Sequence, residues 1–244
     1  MIKLQREPKP AYLSDAKVAE LTATFKSDKK ATVWKHNDIH STLLTSSNSK
    51  CAFCESELQI SATYMEIEHF KFKNDFPDDV VKWENLLPSC KRCNTKKGQH
   101  NVVVEPIVNP FDQNPKDHLT QAGCRIYFKD VVGKSTRDIL DLNDDRLMRP
   151  RFEVWNYVTA KVEEIWEDLE NKIRVTRHDR NKLSGLLISC QADRAFSAFA
   201  SSALQECVEY LHIVEKLKIN GVWDADIETL HQNSIALALD KRNS

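Results

Sequence analysis

Residues 51–98 read CAFCESELQISATYMEIEHFKFKNDFPDDVVKWENLLPSCKRCNTKKG. Two CxxC pairs bound this stretch: Cys51 with Cys54, and Cys90 with Cys93. Four thiolates from two short turns form the ligand set of a closed, tetrahedral zinc site. We therefore predict a structural zinc that closes a loop whose own apolar core is too small to hold it together. The alternative is four separately buried free cysteines.

The composition of the whole chain is that of an ordinary folded protein. Its 244 residues are 41% hydrophobic and 29% charged, and seven are cysteines. The N-terminus lacks the apolar segment of a signal peptide, and no run of about 18 apolar residues predicts a membrane span. We therefore expect a cytoplasmic protein without a membrane partner. In that compartment CxxC pairs bind metal more often than they form disulfides.

The overall charge gives no support for nucleic-acid binding, because the net charge is −1. A contact with nucleic acid would need a local basic patch or the surface of a partner. One candidate patch lies beside the second CxxC pair: Lys91, Arg92, Lys96 and Lys97. The alternative for these four side chains is a solvated helix face.

The first half of the chain predicts a mixture of helices and short strands. Ser14 has the character of an N-cap before an amphipathic helix, and a second helix is expected over about residues 31–45. Residues 63–70 alternate as a strand does, and 91–98 begin a helix after an extended segment. The three prolines in residues 102–115 predict irregular but ordered chain. A further strand is expected over residues 124–128.

The second half, from Ser135 onward, predicts helices. Trp155, Val158, Val162, Ile165 and Leu169 recur at three- and four-residue steps, which indicates a long amphipathic helix. The apolar series from residue 183 to 211 predicts one or two more helices. From this pattern alone, the second half is interpreted as a helical bundle.

The segment between the cysteine pairs resembles a known family, the ββα-metal or HNH endonucleases. These proteins have an acidic residue and a histidine at the end of a first strand, an Asn in the connecting loop, and a His or Asn where the helix begins. Those places are filled here by Glu68-His69, Asn85 and Asn94. The resemblance implies an α+β fold: a zinc-stapled ββα-metal core within a mainly α-helical chain. It divides the chain into an N-terminal helical segment (1–46), a nuclease domain (47–135) and a C-terminal helical domain (136–244).

The resemblance also implies a division of roles in phosphodiester hydrolysis. His69 would act as the general base, and Asn85 would orient it through the loop backbone. Glu68 and Asn94 would supply oxygen ligands to one hard divalent ion, magnesium or manganese. Glu occupies a position where Asp is commoner in the family, so Glu66, two residues earlier, is an alternative ligand.

Several histidines lie outside this motif. His100 is either an additional metal ligand or a solvent-exposed residue. His36 and His40 have the spacing of HExxH but lack its Glu, so a helix surface is the favoured interpretation.

Two further groups carry weaker signals. An acidic cluster lacks the glycine of a calcium loop and is expected at a helix end: Asp141, Asp144 and Asp145. The remaining cysteines lie in apolar patterns and are expected in the core: Cys124, Cys190 and Cys207.

A closer resemblance extends beyond the HNH motif. KWENLLPSCKRCNTKKG at residues 82–98, followed by EPIVNPFDQNP at 105–115 and a helical tail, is similar to the HNH component of Septu-type antiphage systems, also found beside some retrons. It implies a nuclease that works with an ABC-type ATPase, PtuA. The helical second half would then be the docking surface, and a self-contained bundle is the alternative. In a retron branch, a reverse transcriptase and its RNA–DNA product would join. The motif leaves two alternatives open: the same nuclease acting on host RNA such as tRNA, or an inert zinc-stabilised adaptor.

Overall fold

The computed structural model describes residues 1–59 and 64–242. The chain divides into two compact units. Unit 1 comprises Lys3–His118 and Phe128–Leu142, and unit 2 comprises Leu119–Tyr127 and residues 143–242. The predicted N-terminal helical segment therefore belongs to the same unit as the cysteine-bounded segment. The expected strand over 63–70 begins at a residue that lies outside the described ranges.

Unit 1 combines short helices with one two-stranded sheet. Its helices and strands are α1 (Asp15–Ser27), α2 (Asn37–Ser46), β1 (Met65–His69), β2 (Leu86–Cys90), α3 (Lys91–Lys97), α4 (Pro115–His118) and α5 (Val131–Ile139). Short 3-10 helices cover Ala11–Leu13, Pro77–Asp79 and Trp83–Asn85.

The two N-terminal helices begin at side-chain caps. The Ser14 hydroxyl accepts a hydrogen bond from the Lys17 amide at the start of α1, as predicted. The second helix was expected from about residue 31, but α2 begins only at Asn37. The reason is that the His36 imidazole accepts a hydrogen bond from the Asp38 amide and acts as the N-cap, a role more often filled by Ser, Thr, Asp or Asn.

The predicted order of strand, loop, extended segment and helix is confirmed between the two CxxC pairs. Strands β1 and β2 are antiparallel, and Glu68 and His69 at the end of β1 pair with Leu87 and Leu86. Cys90 is the last residue of β2 and also the N-cap of α3, where its sulfur accepts from the Cys93 amide. The second cysteine pair therefore joins the sheet directly to the helix.

Unit 2 is mainly helical. It contains the paired strands β3 (Leu119–Ala122) and β4 (Arg125–Phe128), except for Phe128, the last residue of β4, which belongs to unit 1. The helices that follow are α6 (Asp145–Glu170), α7 (Arg177–Ser189), α8 (Ser197–Glu206), α9 (Val208–Ile219) and α10 (Ala225–Leu237). The long amphipathic helix predicted from the 155–169 pattern is α6, which Asp144 caps. Among the described helices, none combines the length and the apolar character needed to cross a bilayer.

The apolar series 183–211 proved to span three helices instead of one or two. Phe196 has a left-handed backbone (φ 52°) directly before α8, and Cys207 is extended between α8 and α9. Apolar spacing did not reveal these breaks because each of the three helices buries the same kind of face. Of the cysteines expected in the core, Cys190 is fully buried, whereas Cys124 and Cys207 are only partly buried.

Candidate active site

The four cysteines of the CxxC pairs converge at the base of the sheet. Their sulfur atoms all lie within 4.8 Å of one another, and all four residues are buried. Cys54 Sγ and Cys90 Sγ are 3.8 Å apart, and tetrahedral zinc with Zn–S bonds of about 2.3 Å requires about the same separation. Within the part of the chain that the structure describes, no other group of three or more His, Cys, Asp or Glu side chains converges in this way. The cluster can hold a zinc ion.

A cavity of about 650 Å³ lies beside this cluster. The predicted general base, His69, and the predicted metal ligands Glu68 and Asn94 line it. Glu66, the alternative ligand, lines it too. The structure therefore brings residues from the end of β1 and the first turns of α3 to one solvent-accessible space.

Glu68 is buried, at 3% exposure, and forms an internal ion pair. Its Oε1 lies 2.6 Å from Lys97 Nζ, and the same ammonium donates to the His69 carbonyl at 2.9 Å. Burial raises the pKa of Glu68 to about 7, although Lys97 acts in the opposite direction. This carboxylate therefore depends on a nearby cation to remain ionised.

Asn94 is held by the other acidic residue of β1. Its Nδ2 donates to Glu66 Oε2 at 2.6 Å, which leaves the amide oxygen as the group able to bind a cation. Glu66 and Glu68 are two residues apart on one strand and so share a face. Both remain candidates for the carboxylate ligand.

His69 is almost fully buried, and its tautomer follows from its hydrogen bond. The ring Nε2 lies 2.9 Å from the Val80 carbonyl, which can only accept, so Nε2 carries the proton and Nδ1 is the basic nitrogen. Burial lowers the pKa of His69 to about 3, with the charges of Lys73 and Lys97 acting in the same direction. The imidazole is therefore neutral near neutral pH.

Asn85 lies behind the cavity, in the loop that supports His69. Its Oδ1 accepts from the Lys71 amide at 2.7 Å, and its Nδ2 donates to the Asp79 carbonyl at 3.0 Å. The next residue, Val80, supplies the carbonyl that binds the His69 ring. Asn85 can therefore influence His69 through the loop backbone, by the route that the sequence interpretation expected.

The predicted basic patch does not form one continuous free surface. Lys97 is buried against Glu68, as described above, and is not available to a nucleic acid. Lys96 Nζ lies 2.8 Å from Asp141 Oδ2, and Arg92 Nη2 lies 3.5 Å from the same oxygen. Lys91 is exposed. Lys97 differs from Lys96 and Arg92 because α3 packs one face against the strands and presents another face to Asp141.

The remaining histidines do not add a metal-binding set. His36 stacks on Tyr12 with ring centroids 3.4 Å apart, and both His36 and His40 line the cavity. The His100 ring lies outside the cavity lining and donates through Nε2 to the Glu105 carbonyl at 2.7 Å.

Sequence reasoning missed two features of the site. One is the role of Lys97, although its spacing of three and four residues from Asn94 and Cys93 places all three on one helix face. The other is the contribution of residues 34–40, which form a second wall of the cavity. That segment carries no part of the HNH motif.

Known proteins resemble this chain in sequence. A family model described as "HNH endonuclease" matches residues 51–100. A Bacillus thuringiensis protein named "Septu protein PtuB" is 36% identical over 242 residues, covering 96% of this chain and 93% of the relative. The chain belongs to the PtuB family. A second PtuB, from Bacillus mycoides (strain KBAB4), is 28% identical over 161 residues, covering 49% of this chain and 54% of that protein.

Membership of the PtuB family confirms the resemblance that the sequence indicated. The α+β fold class, the HNH core and the nuclease activity are those predicted from residues 51–98. The family model ends at residue 100, so the second wall of the cavity, at residues 34–40, lies outside the matched HNH segment.

Proposed function

We propose that this PtuB-family endonuclease is the nucleic-acid-cutting subunit of an antiphage defence complex, with His69 as its general base. The observation that carries the proposal is that Glu68, His69 and Asn94 meet at one cavity beside the four-thiol cluster. The chemistry is hydrolysis of a phosphodiester bond, in which a water molecule attacks phosphorus.

His69 takes the proton of the attacking water at Nδ1. Its ring is neutral near neutral pH, so the lone pair is available, and the Val80 carbonyl keeps the proton on Nε2. The same carbonyl stabilises the imidazolium that forms. Asn85 has a positioning role, because it fixes the loop backbone on either side of this contact.

The oxygen atoms at the cavity fit a hard divalent cation. Glu68 and the Asn94 amide oxygen would hold it, with Glu66 as the alternative carboxylate, and this donor set favours magnesium or manganese over softer metals. When bound, the ion would stabilise charge on the phosphate and the leaving oxygen. Lys97 would keep Glu68 ionised and oriented by donating to Oε1.

The zinc in this proposal is structural. Its four thiolates leave no open coordination position, so it would not contact substrate. Cys93 would be a zinc ligand, and the next residue, Asn94, lines the cavity. A fixed zinc site therefore fixes one wall of the catalytic cavity.

Partners follow from the resemblance to Septu systems. We propose that the protein works in the cytoplasm with the ABC-type ATPase PtuA and, in a retron-associated system, with a reverse transcriptase and its RNA–DNA product. The net charge of −1 and the internal pairing of three of the four predicted basic residues favour a partner that supplies part of the nucleic-acid surface. Unit 2 is the proposed docking region.

Comparison of His69→Ala with His100→Ala tests this function. Each full-length variant is purified with its genomic partners and incubated with Mg²⁺ and either DNA or RNA, and the cleaved species are sequenced. Loss of a general base is expected to lower the cleavage rate by roughly 10²- to 10⁴-fold, whereas His100→Ala should match the parent. Cleavage by His69→Ala at the parental rate would overturn the assignment. The sequenced products also decide between DNA and RNA as substrate.

A further inference from the structure

The catalytic cavity has two chemically different walls. One wall is acidic and carries Glu66 and Glu68 from β1. The other comes from residues 34–40, together with Phe72 and Lys73 in the loop after β1, and is aromatic and cationic. A wall of this kind is complementary to the bases and phosphates of a nucleic acid.

Trp34 is the central aromatic group of the second wall. Its ring centroid is 4.7 Å from that of His69, at an interplanar angle of 85°, and 6.0 Å from that of Phe25, at 72°. Phe25 is fully buried, whereas Trp34 is only partly buried and lines the cavity. Both of these ring contacts are perpendicular, and neither is a parallel stack.

Positive charge lies beside this indole. Lys73 Nζ lies over the Trp34 ring, 5.3 Å from its centroid, and Lys35 is exposed at the cavity rim. A base that stacks on that face of the indole displaces the flexible Lys73 side chain toward a neighbouring phosphate. Cationic groups around an aromatic ring are the usual arrangement where a protein follows a nucleic-acid backbone and stacks its bases.

The position of Trp34 relative to His69 limits what the indole can touch. A general base must come within about 3 Å of the attacking water, and that water must come within about 3.5 Å of phosphorus. The indole packs directly on the His69 ring, so it lies within one nucleotide of the scissile phosphate. It must then meet the sugar or the base of that nucleotide.

We propose that Trp34 is a stacking platform for the base next to the scissile phosphate, with Lys73 and Lys35 contacting flanking phosphates. In a duplex the faces of a base are covered by its neighbours and only its edges are accessible. The substrate class is therefore nucleic acid that is unpaired at the cleavage site, such as a single strand, a loop or a flipped nucleotide. The inference rests on the proposed function, since it uses His69 to locate the phosphate.

Binding measurements test this inference independently of cleavage. The full-length protein with its partners carries Asn94→Ala to block cleavage, and fluorescence anisotropy follows a labelled unpaired 12-mer and a duplex of the same sequence. Adding Trp34→Ala should weaken binding of the unpaired strand by about 5- to 150-fold, the range for loss of one stacked base. Adding Trp34→Phe should change it less than about 3-fold, since a stacking ring remains. Binding of the duplex should change less than about 2-fold with either variant.

A double-substitution design locates the stacked base. A single abasic site is moved along the unpaired strand, and at one position the effect of Trp34→Ala should disappear because the base is already absent. Phe128→Ala removes an exposed aromatic ring of unit 1 that does not line the cavity, and should leave binding unchanged. Zinc content and thermal unfolding show that each variant is folded.

Two results would overturn the inference. One is an equal loss for Trp34→Ala on duplex and unpaired strands, or at every abasic position, which would mean that the indole only supports the fold or His69. The other is an unpaired strand that the Asn94→Ala protein does not bind. If His69→Ala loses cleavage but Trp34→Ala binds the unpaired strand as tightly as the parent, the proposed function stands and only this inference is overturned.

Discussion

Unit 2 is built around an aliphatic core, whereas unit 1 buries thiols, an ion pair and an imidazole beside its apolar residues. Helices α6 to α10 bury Leu, Val and Ile side chains against one another. The buried residues of unit 1 include the four cysteines, the Glu68–Lys97 pair and His69.

This difference predicts how each unit responds to substitution. An aliphatic core gains free energy from area removed from water, so loss of one side chain costs a limited amount and the rest of the core remains. A polar centre is stable only while each group keeps its partner, because an unpaired buried charge or an unfilled metal site is costly. Unit 1 should therefore be the more sensitive of the two units.

The largest effect is expected from Cys90→Ser. Structural zinc sites contribute on the order of 10 kcal/mol to the free energy of folding, and loss of one thiolate removes most of this. Amide hydrogen exchange measured by mass spectrometry should accelerate throughout β1, β2 and α3 while α6 to α10 stay protected. Cys124→Ser, outside the cluster, is the matched control. Equal protection of unit 1 in the two variants would contradict a stabilising role of zinc.

A smaller effect is expected from Lys97→Met. It removes the ammonium that pairs directly with buried Glu68, and breaking a buried ion pair costs about 3–5 kcal/mol. Added Mg²⁺ should recover part of this loss, because a cation at Glu68 replaces the lost charge. Lys96→Met removes a partly exposed ion pair with Asp141 and should cost less than about 1 kcal/mol. Denaturant unfolding with and without Mg²⁺ measures both, and similar losses in the two variants would contradict the role of Lys97.

Within unit 2, Leu187→Ala is expected to cost about 3 kcal/mol. Leu187 is fully buried in the aliphatic core, and truncation leaves a cavity. The next residue, Ile188, is 44% exposed, so Ile188→Ala should cost less than about 1 kcal/mol. Urea unfolding followed by circular dichroism measures the difference. Both variants should keep their zinc, and loss of zinc from Leu187→Ala would show that the two units are not independently stabilised.

The smallest effect is a pH dependence in unit 2. Burial alone would raise the pKa of Asp179, but hydrogen bonds from Lys172 and Thr176 outweigh it and hold the pKa at about 2. A carboxyl group with a pKa below its unfolded value of about 3.9 stabilises the fold above pH 4 and loses that contribution as the pH falls to 2. The contribution is about 2 kcal/mol.

Asp179→Asn should remove this pH dependence. Exchange of α7 amides, measured between pH 5 and pH 2, should accelerate less in Asp179→Asn than in the parent. Glu164→Gln, on the exposed face of α6, is the control and should follow the parent. An unchanged acid response in Asp179→Asn would contradict the role of this carboxylate.

The parts of unit 1 that the sequence predicted are those set by short-range chemistry. CxxC spacing identifies the thiol cluster, strand alternation places Glu68-His69 at the end of β1, and adjacency places Asn94 beside Cys93. These features depend on local geometry, so a pattern in the sequence reveals them. The partner of Glu68 could not be identified in this way, because Lys97 looked like one more surface lysine beside Lys96.

The parts that were not predicted depend on long-range packing. Trp34 reaches His69 only because the segment before α2 folds over the end of β1. The breaks between α7, α8 and α9 are set by the backbone at Phe196 and Cys207. The spacing of apolar residues does not reveal these breaks.

Elemental analysis of the purified protein tests most directly whether bound metal, instead of an aliphatic core, holds the catalytic wall in place. We expect one zinc per chain in the parent. His69→Ala and Cys124→Ser should retain this zinc, and Cys90→Ser should lose it. A parent protein that contains no zinc yet keeps β1, β2 and α3 protected from exchange would contradict this account.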